Sequence, residues 1–182
     1  MFRIDKYQIV RRLALIGLVF TACSFRPPGG SDINAKVKAI FLYNFSKYVD
    51  WPEHMASGRF KIAIYGHYPA LKEELIRMSK VKRRGDRSFE ILMFDTPEKI
   101  VPTHILFVVK AKSVDMAYIN RKLKKTSTLL VTEEDELINR GANINLYYEN
   151  NKQRMEINPS NFDAKGLKIS EELMSISKVV NG

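Results

Sequence analysis

A single-domain α/β fold, with a mainly parallel central sheet, helices on both faces and a C-terminal antiparallel hairpin, follows from three features of this 182-residue sequence. Strand-like and helix-like segments alternate through its middle, from Phe60 to Arg140. The strand-like runs, Ile105 to Val109 above all, are almost continuously apolar, as strands covered by helices on both faces must be. Beyond Gly141 the alternation stops. There Asn143–Tyr148 and Gln153–Ile157 flank a turn whose Asn150-Asn151 pair tolerates the positive φ of a tight hairpin.

The elements take their places in order. Ser31 or Asp32 supplies a side-chain oxygen to cap a first helix running to about Tyr48. In that helix Ile33, Val37, Ile40, Phe41, Phe45 and Tyr48 recur at helical spacing, and this bulky face is expected to be core. Pro52 biases Trp51 away from helical dihedrals and ends the element. Phe60–Tyr65 reads as a strand ending at Gly66, and Pro69 suits the first turn of a helix to about Ser79. Phe89–Phe94 is a second strand, and Thr96-Pro97 and Pro102 punctuate the way to the third at Ile105. Ser113 or Asp115 opens a helix to about Lys125, Thr128–Thr132 is a strand, and Glu133 to Arg140 forms a short helix closed by Gly141. After the hairpin, Asn158-Pro159 starts a helical turn. Ser170 then caps a last helix with Leu173, Ile176, Val179 and Val180 as its apolar stripe.

The domain is preceded by other material. Arg3, Lys6, Arg11 and Arg12 stand before the apolar run Leu13–Ala22, which is shorter than the roughly 20 residues a transmembrane helix needs. Residues 1–23 therefore read as an export signal. Phe20-Thr21-Ala22-Cys23 has the form of a lipobox, which would make Cys23 an acylated N-terminus; cleavage by ordinary signal peptidase beside Ala22 and Ser24 is the alternative. Residues 24–31, with Arg26-Pro27-Pro28-Gly29-Gly30, have linker composition, and residues 32–182 form the domain. The net charge of +10 falls to +7 once residues 1–22, with four basic and one acidic side chain, are removed. Cys23 is the only cysteine, so no intramolecular disulfide forms and the core alone holds the domain together.

Catalytic chemistry finds little footing. His54, His67 and His104 share no metal-ligand spacing, and His104, opening an apolar strand, reads as a structural imidazole. No nucleophile elbow, Walker loop or dinucleotide fingerprint occurs, and Glu133 to Glu136 read as a helix-start acidic cluster. The sequence thus points to no enzyme, no cofactor and no metal site. The candidate ligand loop is Tyr65, Gly66, His67 and Tyr68, because it leaves the carboxyl end of a strand and enters a helix, where open α/β sheets bind small molecules. The basic runs Lys80–Arg87 and Arg121–Lys125 read as solvated surface, or as sites for anionic headgroups or an acidic partner. Export argues against nucleic acid as the partner.

Two motifs carry a family resemblance. The first is Lys38 to Pro52, with Phe41, Leu42, Phe45, Trp51 and Pro52; the second is Glu156-Ile157-Asn158 followed by Gly166-Leu167 and Ser170. In order and spacing, behind an export signal, they resemble the YfiR-like family of small bacterial envelope proteins, across about the whole domain. The resemblance implies a non-catalytic regulator that binds the extracytoplasmic sensor domain of a membrane diguanylate cyclase and represses cyclic di-GMP output. It implies a membrane-bound signalling partner, a diguanylate cyclase or a sensor kinase, and allows a homodimer and a lipid anchor. It also implies that the motif residues mark the fold, mostly as core, more than a contact surface. Thr103 stands where such proteins often carry a cysteine, so redox control through a disulfide is not expected here. An envelope small-ligand-binding protein using the loop at Gly66 is the competing reading.

Overall fold

The computed structural model describes residues 32–180; the export segment, Cys23 and the linker lie outside them. The elements are α1 (Ile33–Tyr48), β1 (Val49–Asp50), β2 (Phe60–Tyr65), α2 (Pro69–Ser79), β3 (Phe89–Phe94), β4 (Ile105–Val108), α3 (Met116–Lys122), β5 (Leu129–Thr132), β6 (Ile144–Glu149), β7 (Lys152–Ile157), α4 (Pro159–Asp163), β8 (Lys168–Ile169), α5 (Glu171–Ser175) and β9 (Lys178–Val179). A mixed sheet has the order β3-β2-β4-β5-β6-β7-β9, and β1 and β8 form a separate two-stranded ladder. Pairing is parallel from β3 through β6, antiparallel between β6 and β7, and parallel again between β7 and β9. The α/β class, the mainly parallel sheet and the hairpin agree with the sequence. Asn150 and Asn151 both adopt positive φ, at 50° and 58°, and Glu149 pairs with Lys152 across the turn.

Alternation along the strands divides the core in two. Phe60, Ile62, Ile64, Ile105, Phe107, Leu129, Val131, Ile144 and Leu146 face α1 and α2, together with Phe162, Leu167 and Leu173 from the C-terminal elements. Ala63, Tyr65, Leu106, Val108 and Leu130 face the other way, against Met116, Ile119 and Leu123 of α3 and the following turn. Strands β4 and β5 are buried along their whole length, which explains their uninterrupted apolar sequence.

The last element departs from expectation. Helix α5 stops at Ser175, and the chain turns into β9, parallel to β7, with Val180 N–H donating to Ile157 O at 2.8 Å. Ile176 and Val179 are 70% and 47% exposed, so the anticipated stripe does not form. An open β7 edge would leave backbone groups unpaired, and the β-branched tail suits a strand better than a helix. Three caps are as read: Asp32 accepts from Ala35 N–H, Asn158 from Ser160 N–H and Ser170 from Leu173 N–H.

Helix α1 is rotated relative to the expected face. Its buried side is Ala35, Lys38, Ala39, Leu42, Phe45 and Ser46. Ile33, Ile40 and Tyr48 are 72%, 46% and 39% exposed, and Val37 and Phe41 are half-buried. The alanines bring the helix backbone close to the sheet, and only Leu42 and Phe45 of its large apolar residues point fully inward.

Where α1 ends, an aromatic knot ties it to the sheet. The Trp51 ring meets Phe60 edge-on at 5.0 Å, Phe60 stacks on His104 at 4.2 Å and meets Phe89 at 5.6 Å. Trp51 Nε1–H donates to His104 O at 3.2 Å. His104 Nδ1 accepts from Lys61 N–H at 2.9 Å, which leaves the hydrogen on Nε2, directed at Met55 O 3.1 Å away. Arg84 and Arg87, read as solvated surface, turn inward instead. Arg84 Nε donates to Ser46 O at 2.6 Å and its guanidinium lies over Trp51 and Phe60. Arg87 donates to Gly58 O and Ser57 O and lies over Phe60 from another side. Burial, with the charges of Arg87, Arg84 and Lys61, pulls the His104 pKa down to about 4. The Arg87 guanidinium is itself held below its ordinary value by burial and by Arg84.

Two outcomes follow for stability. Trp51→Ala removes the ring that bridges α1, β2 and β4 and is expected to lower the unfolding free energy by about 3 kcal/mol, read from urea denaturation. His104 is neutral in the folded protein and titrates near its ordinary pKa when unfolded. Between about pH 6.5 and pH 4 the unfolded chain therefore binds the extra proton, and stability falls as pH falls through that window. The contribution is on the order of 3 kcal/mol, and His104→Gln should flatten that part of the stability–pH curve relative to the unaltered protein.

Candidate functional site

Strand order reverses at β2, whose neighbours β3 and β4 lie on opposite sides, so the loops leaving β2 and β4 border the crevice where α/β sheets bind ligands. In this protein that crevice is closed. Gly66 sits at φ +110°, and a Cβ there would lie 2.2 Å from Val109 Cγ2, so the two loops touch backbone to side chain. The four residues of the candidate loop diverge. Tyr65 is fully buried on the α3 side, its hydroxyl donating to Asp115 Oδ2, and burial with that carboxylate raises its pKa. His67 is exposed. Tyr68 alone turns toward α1, packing against the larger core cluster.

There it joins a cluster assembled from four segments. Lys38, on the buried face of α1, forms an ion pair with Glu133 Oε2 at 3.1 Å, with the side chains only 7% and 17% exposed. Its ammonium lies 5.7 Å from the Tyr68 ring centroid and 5.6 Å from that of Tyr148. Tyr148 donates from its hydroxyl to Asn34 Oδ1 at 2.9 Å. Glu133 Oε1 accepts from Lys110 N–H at 3.1 Å, and the Lys110 ammonium pairs with Glu134 at 3.0 Å. The acidic run therefore does not cap a helix. Glu133 and Glu134 bind lysines, Glu136 adopts a left-handed φ of 65°, and only a short tight turn, Leu137–Arg140, follows before Gly141. Asp115 likewise opens no long helix: six residues of tight turn, Lys110–Asp115, precede α3, which ends at Lys122.

Beside Lys38 opens a cavity of about 450 Å³, lined by Lys110, Asp135, Leu146 and the Tyr147, Tyr148 and Gln153 side of the hairpin. Gln153 Nε2 donates to Tyr147 O at 2.9 Å, while its Oε1 is buried with no hydrogen-bond partner. Burial, then the nearby carboxylates of Asp32 and Glu133, raises the Tyr68 pKa, so the phenol stays protonated. Chemically the site offers cationic and anionic groups already neutralising each other, phenol walls and one unsatisfied acceptor. That is equipment for holding a polar molecule; no nucleophile is paired with a base. Sequence reading missed Lys38 and Glu133, and the available signal was a single lysine set among Ala35, Ala39 and Leu42 at helical spacing.

The motif residues lie elsewhere and come together in space. Val49 pairs with Ile169 and Asp50 with Lys168, Ser170 N–H donates to Tyr48 O at 2.9 Å, and a Cβ on Gly166 would stand 3.6 Å from Pro52 Cγ. Thus Trp51-Pro52 and Gly166–Ser170, more than a hundred residues apart in sequence, form one seam. Leu42, Phe45, Ile157, Asn158 and Leu167 are buried, Phe41, Trp51, Pro52, Glu156 and Ser170 are half-buried, and Gly166 is exposed. Glu156 accepts from Asn145 Nδ2 at 3.1 Å and pairs with Lys178 of β9 at 3.5 Å. Thr103 is fully buried; its hydroxyl donates to Ile105 O, and its carbonyl accepts from Thr128 Oγ1.

A model of the YfiR/HmsC-like family matches residues 35–178. Among curated proteins no relative matches this sequence.

The Lys38–Glu133 pair can be weighed directly. Lys38→Met is expected to cost about 3 kcal/mol by leaving a buried carboxylate without its partner, and adding Glu133→Leu should return most of that loss. Urea denaturation of the two single variants and the double variant reads the coupling.

Proposed function

The chain belongs to the YfiR/HmsC-like family, and from that premise we propose that it is a non-catalytic regulator in the bacterial envelope. It binds the extracytoplasmic sensor domain of a membrane signalling enzyme of the diguanylate cyclase type and so lowers cyclic di-GMP output. The export signal at residues 1–23 supports the location, and acylation of Cys23 would attach the protein to the membrane. No helix among the described residues is long and apolar enough to cross a membrane itself.

The observation that carries the binding role is the outward face of α1. Ile33, Val37, Ile40 and Tyr48, with Phe41 at the flank, make an apolar stripe along the helix on the side away from the core. An amphipathic helix ordinarily gives that side to polar residues, and a bulky row there matches the apolar centre of a protein interface. Regulation then needs only that envelope conditions change the binding free energy between this surface and the sensor domain, shifting the population of active cyclase.

A second reading is favoured by the cavity beside Lys38. Its phenol walls and the charged groups of Lys38, Lys110, Glu133 and Asp135 suit a small polar ligand, either as the protein's cargo or as the signal that modulates partner binding. A sensor kinase is the alternative partner class on the first reading.

The regulator reading is tested by capture of membrane proteins from detergent-solubilised host membranes, comparing the unaltered protein with Ile33→Glu/Ile40→Glu. The expected result is recovery of a membrane diguanylate cyclase or sensor kinase, with affinity reduced at least about tenfold in the variant and its thermal unfolding unchanged. Equal capture by the variant would remove α1 as the docking face. Capture of no membrane enzyme, even with cross-linking, would overturn the regulator role.

A further inference from the structure

At the opposite end of the sheet from Lys38, a groove of about 540 Å³ runs between the end of α3, the turn before β6 and the segment after α4. Its lining is Asn120, Arg121, Lys124, Gly141, Asn161, Ala164 and Lys165: three cations, two carboxamides and no carboxylate. What sets the groove apart is that three cations from two separate segments border one space with no acidic side chain among its lining residues.

The three cations are also uncommitted. No hydrogen bond or ion pair to Arg121, Lys124 or Lys165 side chains occurs among the described residues, whereas neighbouring Lys122 is tied to the carbonyls of Pro97 and Glu98. Arg121 rests against the Tyr118 ring at 5.7 Å, which orients it without neutralising it. Favourable placement at a helix C-terminus accounts for Arg121 and Lys124. It does not account for Lys165, which arrives from a different element and is half-buried. Burial alone lowers its pKa to about 8, the mark of an ammonium that has lost water and gained no counter-charge.

The groove walls are rigid. Asn161 Nδ2 donates to Ile138 O and Ala142 O, and Asn161 O accepts from Asn143 Nδ2, so α4 is fastened to the turn before β6. Asn120 Nδ2 donates to Arg140 O at 2.5 Å. Gly141, at φ +95°, lets the Asn120 carboxamide approach to a distance at which a Cβ would collide with it, at 2.7 Å. The carboxamides therefore brace the backbone segments that carry three unpaired cations, of which Lys165 is half-buried and Arg121 and Lys124 are exposed.

We propose that this groove is a binding site for a phosphate group, presented either as a free phosphate or phosphomonoester or as the headgroup of an anionic lipid. A phosphate supplies the charge that Arg121, Lys124 and Lys165 lack, with acceptor oxygens for the planar guanidinium and both ammonium groups. The volume exceeds that of a bare phosphate, leaving room for the group that carries it.

The test is a titration of the isotope-labelled protein with sodium phosphate at constant ionic strength, balanced with sodium chloride, followed by amide spectra. Saturable shifts confined to Asn120, Arg121, Gly141 and Lys165 are expected, with affinity weakened at least about tenfold in Arg121→Gln/Lys165→Gln. That variant should fold at least as stably as the unaltered protein, because it removes an unpaired, partly desolvated charge. A second arm measures cosedimentation with vesicles of phosphatidylglycerol mixed with phosphatidylcholine, against phosphatidylcholine alone. Vesicle binding lost in the variant assigns the site to a lipid headgroup; saturable phosphate binding without vesicle binding assigns it to a soluble phosphate. Shifts that chloride reproduces, or that persist in the variant, together with vesicle binding that is absent or insensitive to the variant, overturn the proposal.

Discussion

The end of α1, the edge strand β3 and the start of β4 are tied together through Phe60. Its ring receives Trp51 from the end of α1, stacks on His104 at the start of β4, touches Phe89 on the edge strand β3 and carries the guanidinium groups of Arg84 and Arg87 on its surroundings. The aromatic contacts give geometry as well as area, because edge-on and offset-stacked arrangements are each preferred over a face-to-face sandwich. The neutral imidazole completes the arrangement by accepting from one strand and donating to the loop before it. With α1 fixed there, the direction of its two long faces is decided: one onto the sheet, one into solvent.

That division separates the protein's tasks in space. The carboxyl ends of the parallel strands hold the Lys38–Glu133 pair and its cavity, the amino ends hold the cationic groove, and the outer face of α1 holds the apolar stripe. None of the three overlaps the seam where Trp51-Pro52 meets Gly166–Ser170. Trp51, Pro52 and Gly166–Ser170 thus close the fold, while Lys38, Ile40, Phe41 and Tyr48 of the same N-terminal motif border the cavity or the apolar stripe.

Strands β4 and β5 were legible because burial on both sheet faces forces unbroken apolar runs, and the Phe60–Tyr65 and Phe89–Phe94 strands coincide with their observed ends. The Asn150-Asn151 turn was legible because its dihedrals restrict the residues that fit. The orientation of α1 was not, since bulk was taken as a guide to the inside while the sheet accepts Ala35 and Ala39 at close range. The end of the chain was misread for a related reason: Ile176 and Val179 keep helical spacing, but the unpaired edge of β7 exerts a pull that spacing along one segment cannot register. Lys38 and Glu133 find each other only in three dimensions, and the run of four acidic residues concealed which one turns inward.

The alanine-lined inner face of α1 has a consequence for how such a protein acquires new partners. Because Ala35 and Ala39 set the helix height above the sheet, the exposed side chains on its far side, Ile33, Ile40 and Tyr48, lie outside the core and can be exchanged one at a time. On the proposed docking role of the outer face, recognition and folding are written on opposite sides of the same sixteen residues. A lineage can therefore retune what it recognises by altering this outer row, without repacking a core or crossing an unstable intermediate.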